Sequence, residues 1–119
     1  SGWILAMMFM KNIYKQGDII LVNFPYTNLI EFKVRPALVM RDQDNEDVIL
    51  LPISTTINLK PYDILIKEQH YDGEPLFAKS AIRISKITGA ESSLIVKKVT
   101  RLKPEFFKQV QTALFRYLS

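Results

Sequence analysis

Between residues 17 and 103 the chain is a succession of short apolar runs closed by turn-forming residues, and a helical period begins only after Pro104. That order constrains the fold more than any other feature. Gly17-Asp18 opens the β-branched run 19–24, which Pro25 stops. Residues 34–40 follow, with Pro36 near their start, where a strand tolerates a missing N–H donor. The polar, acidic stretch 42–47 joins them to 48–53, and these two runs predict a hairpin. Further strands are expected at 62–67, 81–88 and 94–102. Within 81–88, Ile82, Ile84 and Lys86 alternate with Arg83, Ser85 and Ile87, the period of a strand. No helix-length segment separates consecutive strands, which disfavours the crossovers of a parallel sheet. Phe106, Phe107, Val110, Ala113, Leu114, Tyr117 and Leu118 then recur at spacings of three and four. They make one apolar helical stripe, with Pro104 tolerated in the first turn. The expected fold is mainly β, a small antiparallel β-barrel with a C-terminal helix packed on it.

Composition narrows the chemistry. The 119 residues, 48% of them hydrophobic and 24% charged, suit a single domain that packs its own core without a metal or disulfide staple. There is no cysteine, which excludes thiolate metal sites, cysteine nucleophiles and disulfides and fits a cytoplasmic setting. His70 is the sole histidine, so one chain holds neither a histidine pair nor a multi-histidine metal site. The acidic stretch 42–47 lacks the central glycine and closing glutamate of a calcium loop. Glycine-rich nucleotide fingerprints, zinc-protease motifs and the nucleophile elbow are missing, so no cofactor and no metal are expected. The apolar run 3–10 is shorter than the roughly 18 residues a membrane span needs, and no membrane role is expected. Ser1-Gly2 reads as a tag-removal scar, with Met7, Met8 or Met10 as the natural start. Residues 1–9 are set aside as an upstream extension, leaving 10–119 as the domain.

The net charge of +4 tilts toward an anionic partner. Residues 1–59 carry five Lys/Arg against six Asp/Glu, while 60–119 carry eleven against six, so the excess sits in the second half. Two segments stand out. Arg35 sits at the mouth of an apolar strand, held extended by Pro36, and its guanidinium fork fits phosphate oxygens. A surface ion pair with Glu31 or Asp18 is the plainer alternative. Ser54, Thr55 and Thr56 place three hydroxyls after the apolar run 48–53. They either contact a ligand or satisfy backbone groups at a strand end. If 34–40 and 48–53 pair as a hairpin, Arg35 and Ser54 are neighbours at one end of the sheet.

In this order and spacing, Gly17-Asp18-Ile19-Ile20-Leu21-Val22-Asn23-Phe24, Val34-Arg35-Pro36-Ala37-Leu38-Val39 and Pro52-Ile53-Ser54-Thr55-Thr56 resemble the MazF/PemK family of toxins. Ala78-Lys79-Ser80-Ala81-Ile82-Arg83 and the terminal helix extend the likeness over about residues 14–118. The resemblance implies an SH3-like β-barrel that forms a homodimer. It implies a toxin of a type II toxin–antitoxin system, a metal-independent endoribonuclease that cuts single-stranded mRNA. Attack by the 2′-OH would leave a 2′,3′-cyclic phosphate and a 5′-OH. A cognate antitoxin would occupy the RNA-binding face, and the toxin–antitoxin complex would bind DNA. The family's catalytic arginine falls on Arg35 and its catalytic hydroxyl on Ser54, with Thr55 as the fallback. Glu31 is the candidate base or arginine-orienting group, and His70 a weaker one. Phe32 is expected to contact bases, and Lys33, Lys79 and Arg83 to contact the RNA.

Two departures accompany the resemblance. The family often has glycines in the loop before the arginine, whereas residues 28–33 here have none, and serine replaces threonine at residue 54. A CcdB-like toxin that binds a protein target, or an inactive family member, would use the same barrel, since fold alone does not decide function.

Overall fold

The structure is a computed structural model that describes residues 13–25, 32–43, 47–55 and 58–119. Residues 1–12, 26–31, 44–46 and 56–57 lie outside that set. Among the described residues there are seven strands, which are β1 (Asp18–Pro25), β2 (Phe32–Asp42), β3 (Val48–Ser54), β4 (Asp63–Ile66), β5 (Ser80–Arg83), β6 (Thr88–Ala90) and β7 (Ile95–Arg101). One helix, α1 (Pro104–Leu118), follows.

The sheet runs β4-β5-β3-β2-β1-β7, with β6 also paired to β3, and every pairing is antiparallel. β1 and β2 stay in unbroken register from Ile19–Leu38 to Pro25–Phe32. The hairpin expected from 34–40 and 48–53 forms, from Ala37–Pro52 down to Asp42–Val48, with an irregularity between Val39 and Arg41. Immediately before β1, Gly17 has φ +94°, a left-handed conformation that disfavours any side chain. Its N–H donates to Val39 O at 3.0 Å and its carbonyl accepts from Leu102 N at 2.9 Å. The turn thereby ties the start of β1 to β2 and to the end of β7.

One expectation fails. Residues 81–88 do not form a single strand; β5 ends at Arg83, a 3₁₀ turn spans Ile84–Lys86, and β6 begins at Thr88. The break lets both pieces pair with one strand, β5 at Ile53–Ser54 and β6 at Val48–Leu50. The turn also buries Ile84, which is 1% exposed, against the helix side of the sheet. Tertiary pairing overrides the local alternation here.

Strand alternation makes two cores. Ile20, Val22, Ala37, Val39, Val48, Leu50 and Ala90 form one, with Ile95 and Leu94 packed against it. Ala90 lies on β6 and Ile95 on β7, so the sheet curls until these two strands share one interior. The opposite set, including Ile19, Leu38, Leu51, Ile53 and Ile82, packs against Phe106, Phe107 and Val110 of α1. Full burial of each such side chain is worth about 1.5–3 kcal/mol. The apolar stripe of α1 continues to the half-buried Ala113 and Leu114 and stops there. Tyr117 and Leu118, expected on that stripe, are exposed, though the Tyr117 ring meets Tyr62 edge-on with centroids 4.9 Å apart.

Candidate functional site

The two cores define where the site residues stand. Ala37 pairs with Pro52, and both precede the barrel rim. Arg35 lies two residues before Ala37 and Ser54 two residues after Pro52, so alternation puts both on the face of Ala37 and Pro52. The hydrogen-bonded ladder stops at Ala37–Pro52. Beyond it Arg35 continues opposite Val22 of β1, while Ser54 turns to pair with Ala81 of β5. Both therefore stand at one end of the sheet and on one face, but on strands that have begun to part.

Arg35 is exposed, and among the described residues it makes no ion pair. The alternative pairing with Asp18 does not form. Asp18 lies at the far end of β1, where its buried carboxylate is 3.2 Å from Lys98 Nζ and accepts the Lys15 N–H at 2.9 Å. The other alternative, Glu31, is outside the described residues. Ser54 is half-buried and engaged in an interaction of its own, and Thr55 beyond it is exposed.

The residues expected to contact RNA are distributed around this end. Phe32 and Lys33 lie opposite Pro25 and Phe24, and the Lys33 side chain is exposed. On β7, Ile95 faces Val22 across the sheet from Arg35, and Lys97 and Lys98 follow opposite Leu21 and Ile20. Sequence reasoning left these two lysines in the general basic excess; only the β1–β7 pairing brings them to the strand beside Arg35's partner. Lys79 is exposed two residues before Ala81, the partner of Ser54, and lines a shallow depression of about 250 Å³ with Tyr71 and Phe77. Arg83 is not free. Its Nε lies 3.2 Å from Asp63 Oδ1 on the neighbouring strand β4.

His70 is tied to the start of α1. Its Nδ1 accepts the Lys67 N–H at 3.0 Å, its ring lies against Phe106, and its carbonyl accepts the Lys103 N–H at 2.9 Å. Burial, then Lys67, then Lys103, lower its pKa below the usual histidine value. Among the described residues no group of three His, Asp or Glu side chains could hold a metal ion. No described helix is long and apolar enough to cross a membrane.

Comparison with known proteins bears on this arrangement. Residues 15–118 match the family described as PemK-like, MazF-like toxin of type II toxin-antitoxin system. No curated protein matches the chain in sequence. Among solved structures, the MazE–MazF complex of Deinococcus radiodurans superposes with a TM-score of 0.72 at 14% identity, over 89% of this chain and 96% of that one. An endoribonuclease in complex with its cognate antitoxin from a mycobacterial species gives 0.67 at 16% identity, over 88% and 94%. The Mycobacterium tuberculosis toxin MazF-mt6 gives 0.64 at 14% identity, over 83% and 93%.

Proposed function

Because the chain belongs to the PemK-like, MazF-like toxins of type II toxin–antitoxin systems, we propose that it is an endoribonuclease that cuts single-stranded mRNA without a metal. The observation that carries this reading is the placement of Arg35 and Ser54 on one face at one end of the sheet, with Arg35 exposed and unpaired among the described residues.

The chemistry that suits this pair is internal transfer. The RNA 2′-oxygen attacks the adjacent phosphorus, the P–O2′ bond forms and the P–O5′ bond breaks. The 2′ proton passes to a base and another proton is delivered to the departing 5′-oxygen. The products are a 2′,3′-cyclic phosphate and a 5′-OH. The Arg35 guanidinium holds the phosphate oxygens as negative charge builds on them. The Ser54 hydroxyl donates to a phosphate oxygen, with Thr55 as the alternative donor. Glu31 is the candidate base. The nucleophile comes from the substrate, so DNA resists. Lys33, Lys79 and Lys97 supply counter-charge along the strand.

In the cell, we assign a cognate antitoxin as the partner that silences this surface, and a homodimer as the assembly, on the strength of the family. The test is incubation of purified protein with a mixed single-stranded transcript in EDTA. Discrete cuts ending in cyclic phosphate support the reading, and a single 2′-deoxy substitution at a cut site should abolish that cut. Absence of cutting at any sequence, with growth arrest retained on expression, would favour a protein-binding toxin instead.

A further inference from the structure

Arg83 carries a feature that its expected contact with RNA does not use. Asp63 and Arg83 are cross-strand partners on β4 and β5. The Asp63 side chain is only 3% exposed and that of Arg83 24%. One carboxylate oxygen, Oδ2, accepts the Lys60 N–H at 2.8 Å, which fixes the carboxylate at the turn into β4. The other, Oδ1, faces Arg83 Nε at 3.2 Å. Both atoms of that contact are buried and neither has a hydrogen-bond partner, so among the described residues each is the other's counter-charge.

The contact is made at Nε, at the root of the guanidinium, as a charge contact without hydrogen-bond geometry, and the two outer nitrogens of the planar fork lie beyond it. Register says where Arg83 stands. Ala81 lies opposite Ser54, and Arg83 is two residues along the same strand, on the same face. Diagonal neighbours of this kind sit about 7–8 Å apart, within reach of a long side chain. The arginine fork therefore has access to the Ser54 end while its root is tied to a buried carboxylate.

We propose that Asp63 is a positioning residue for RNA binding: it holds Arg83 so that the outer nitrogens of the guanidinium meet a phosphate beside Ser54. The proposal rests on the endoribonuclease reading given above. It assigns Asp63 a task with a counterintuitive sign. Asp63 is an anion near a polyanion, so its removal makes the protein more positive by one unit. If the carboxylate only braced the edge strand, Asp63→Asn would leave RNA affinity unchanged or improve it. If it positions Arg83, the same substitution weakens RNA binding.

The experiment compares wild type, Asp63→Asn, Arg83→Gln and the double variant for binding an uncleavable pool of short 2′-O-methyl oligoribonucleotides of mixed sequence. Thermal unfolding of each variant reports the fold separately. The expected result is a roughly tenfold loss for each single variant, the scale of one charge-assisted hydrogen bond, with no further loss in the double. Unchanged or tighter binding by folded Asp63→Asn overturns the proposal. Should Asp63→Asn fail to fold, Arg83→Lys decides. Lysine keeps the charge but its single ammonium cannot grip Asp63 at its root while presenting a fork, so weaker binding supports the proposal and unchanged binding overturns it. If wild type neither binds this pool nor cuts RNA, the endoribonuclease reading fails and this inference with it. If wild type cuts but Asp63→Asn binds as well as wild type, only the inference fails.

Discussion

His70 lies flat on Phe106, with ring centroids 3.7 Å apart and planes 4° from parallel. The stack joins the 3₁₀ turn Glu68–His70 to the first turn of α1, and the Lys67 N–H completes it by donating to His70 Nδ1. A ring that accepts at Nδ1 is neutral there, with its proton on Nε2.

This contact predicts a pH dependence of stability. Burial and the two lysines lower the folded-state pKa of His70 from 6.5. Between the folded value and 6.5 the unfolded chain therefore binds more protons. The stabilisation is complete above about 6.5 and declines as pH falls toward the folded-state value. Urea unfolding from about pH 8 to about pH 5 should show wild type losing stability relative to His70→Gln, which cannot titrate. Parallel curves for the two proteins would mean that the stack does not sense protonation.

The helix supplies a second prediction. Phe107 is 6% exposed in the core beneath α1, whereas Phe115, two turns on, is 74% exposed. Phe107→Ala should cost about 3–5 kcal/mol in urea unfolding, and Phe115→Ala no more than about 0.5 kcal/mol. Comparable losses at the two positions would mean that the C-terminal turn of α1 is covered.

A third prediction separates the two hydroxyls. Ser54 pairs with Ala81 and shares a face with Arg35, while Thr55, the next residue, alternates to the other side. Ser54→Ala should lower single-turnover cleavage about 100-fold, Ser54→Thr should retain most activity, and Thr55→Ala should change it little. The reverse ranking would move the hydroxyl role to Thr55.

What the sequence displayed was whatever local pattern controls. The hairpin of β2 and β3 and the start of α1 followed from short apolar runs, turn residues and Pro104, because each depends on neighbours in the chain. The break at Ile84–Lys86 was hidden, since alternation continues through it and only the pairing of both flanks with β3 explains it. The exposure of Tyr117 and Leu118 was hidden as well, for periodicity marks a face but not how much of it is covered. At the site, Arg35 and Ser54 were visible as an arginine and a hydroxyl beside apolar strands. Their shared face required the Ala37–Pro52 register. The Asp63–Arg83 pair had no sequence signal, because 20 positions of chain separate its members and only the β4–β5 pairing joins them.

The fourth prediction bears on the central claim, that a metal-free ribonuclease centre is built on Arg35. The most direct measurement is cleavage of a single-stranded transcript in EDTA by wild type and Arg35→Ala, with thermal unfolding run alongside. Arg35 is exposed at a strand position and outside both cores, so the variant should unfold at the wild-type temperature. Cleavage should fall at least about 100-fold, the loss expected when a donor to developing phosphate charge is removed. An Arg35→Ala protein that cuts within a few-fold of wild type would contradict the account.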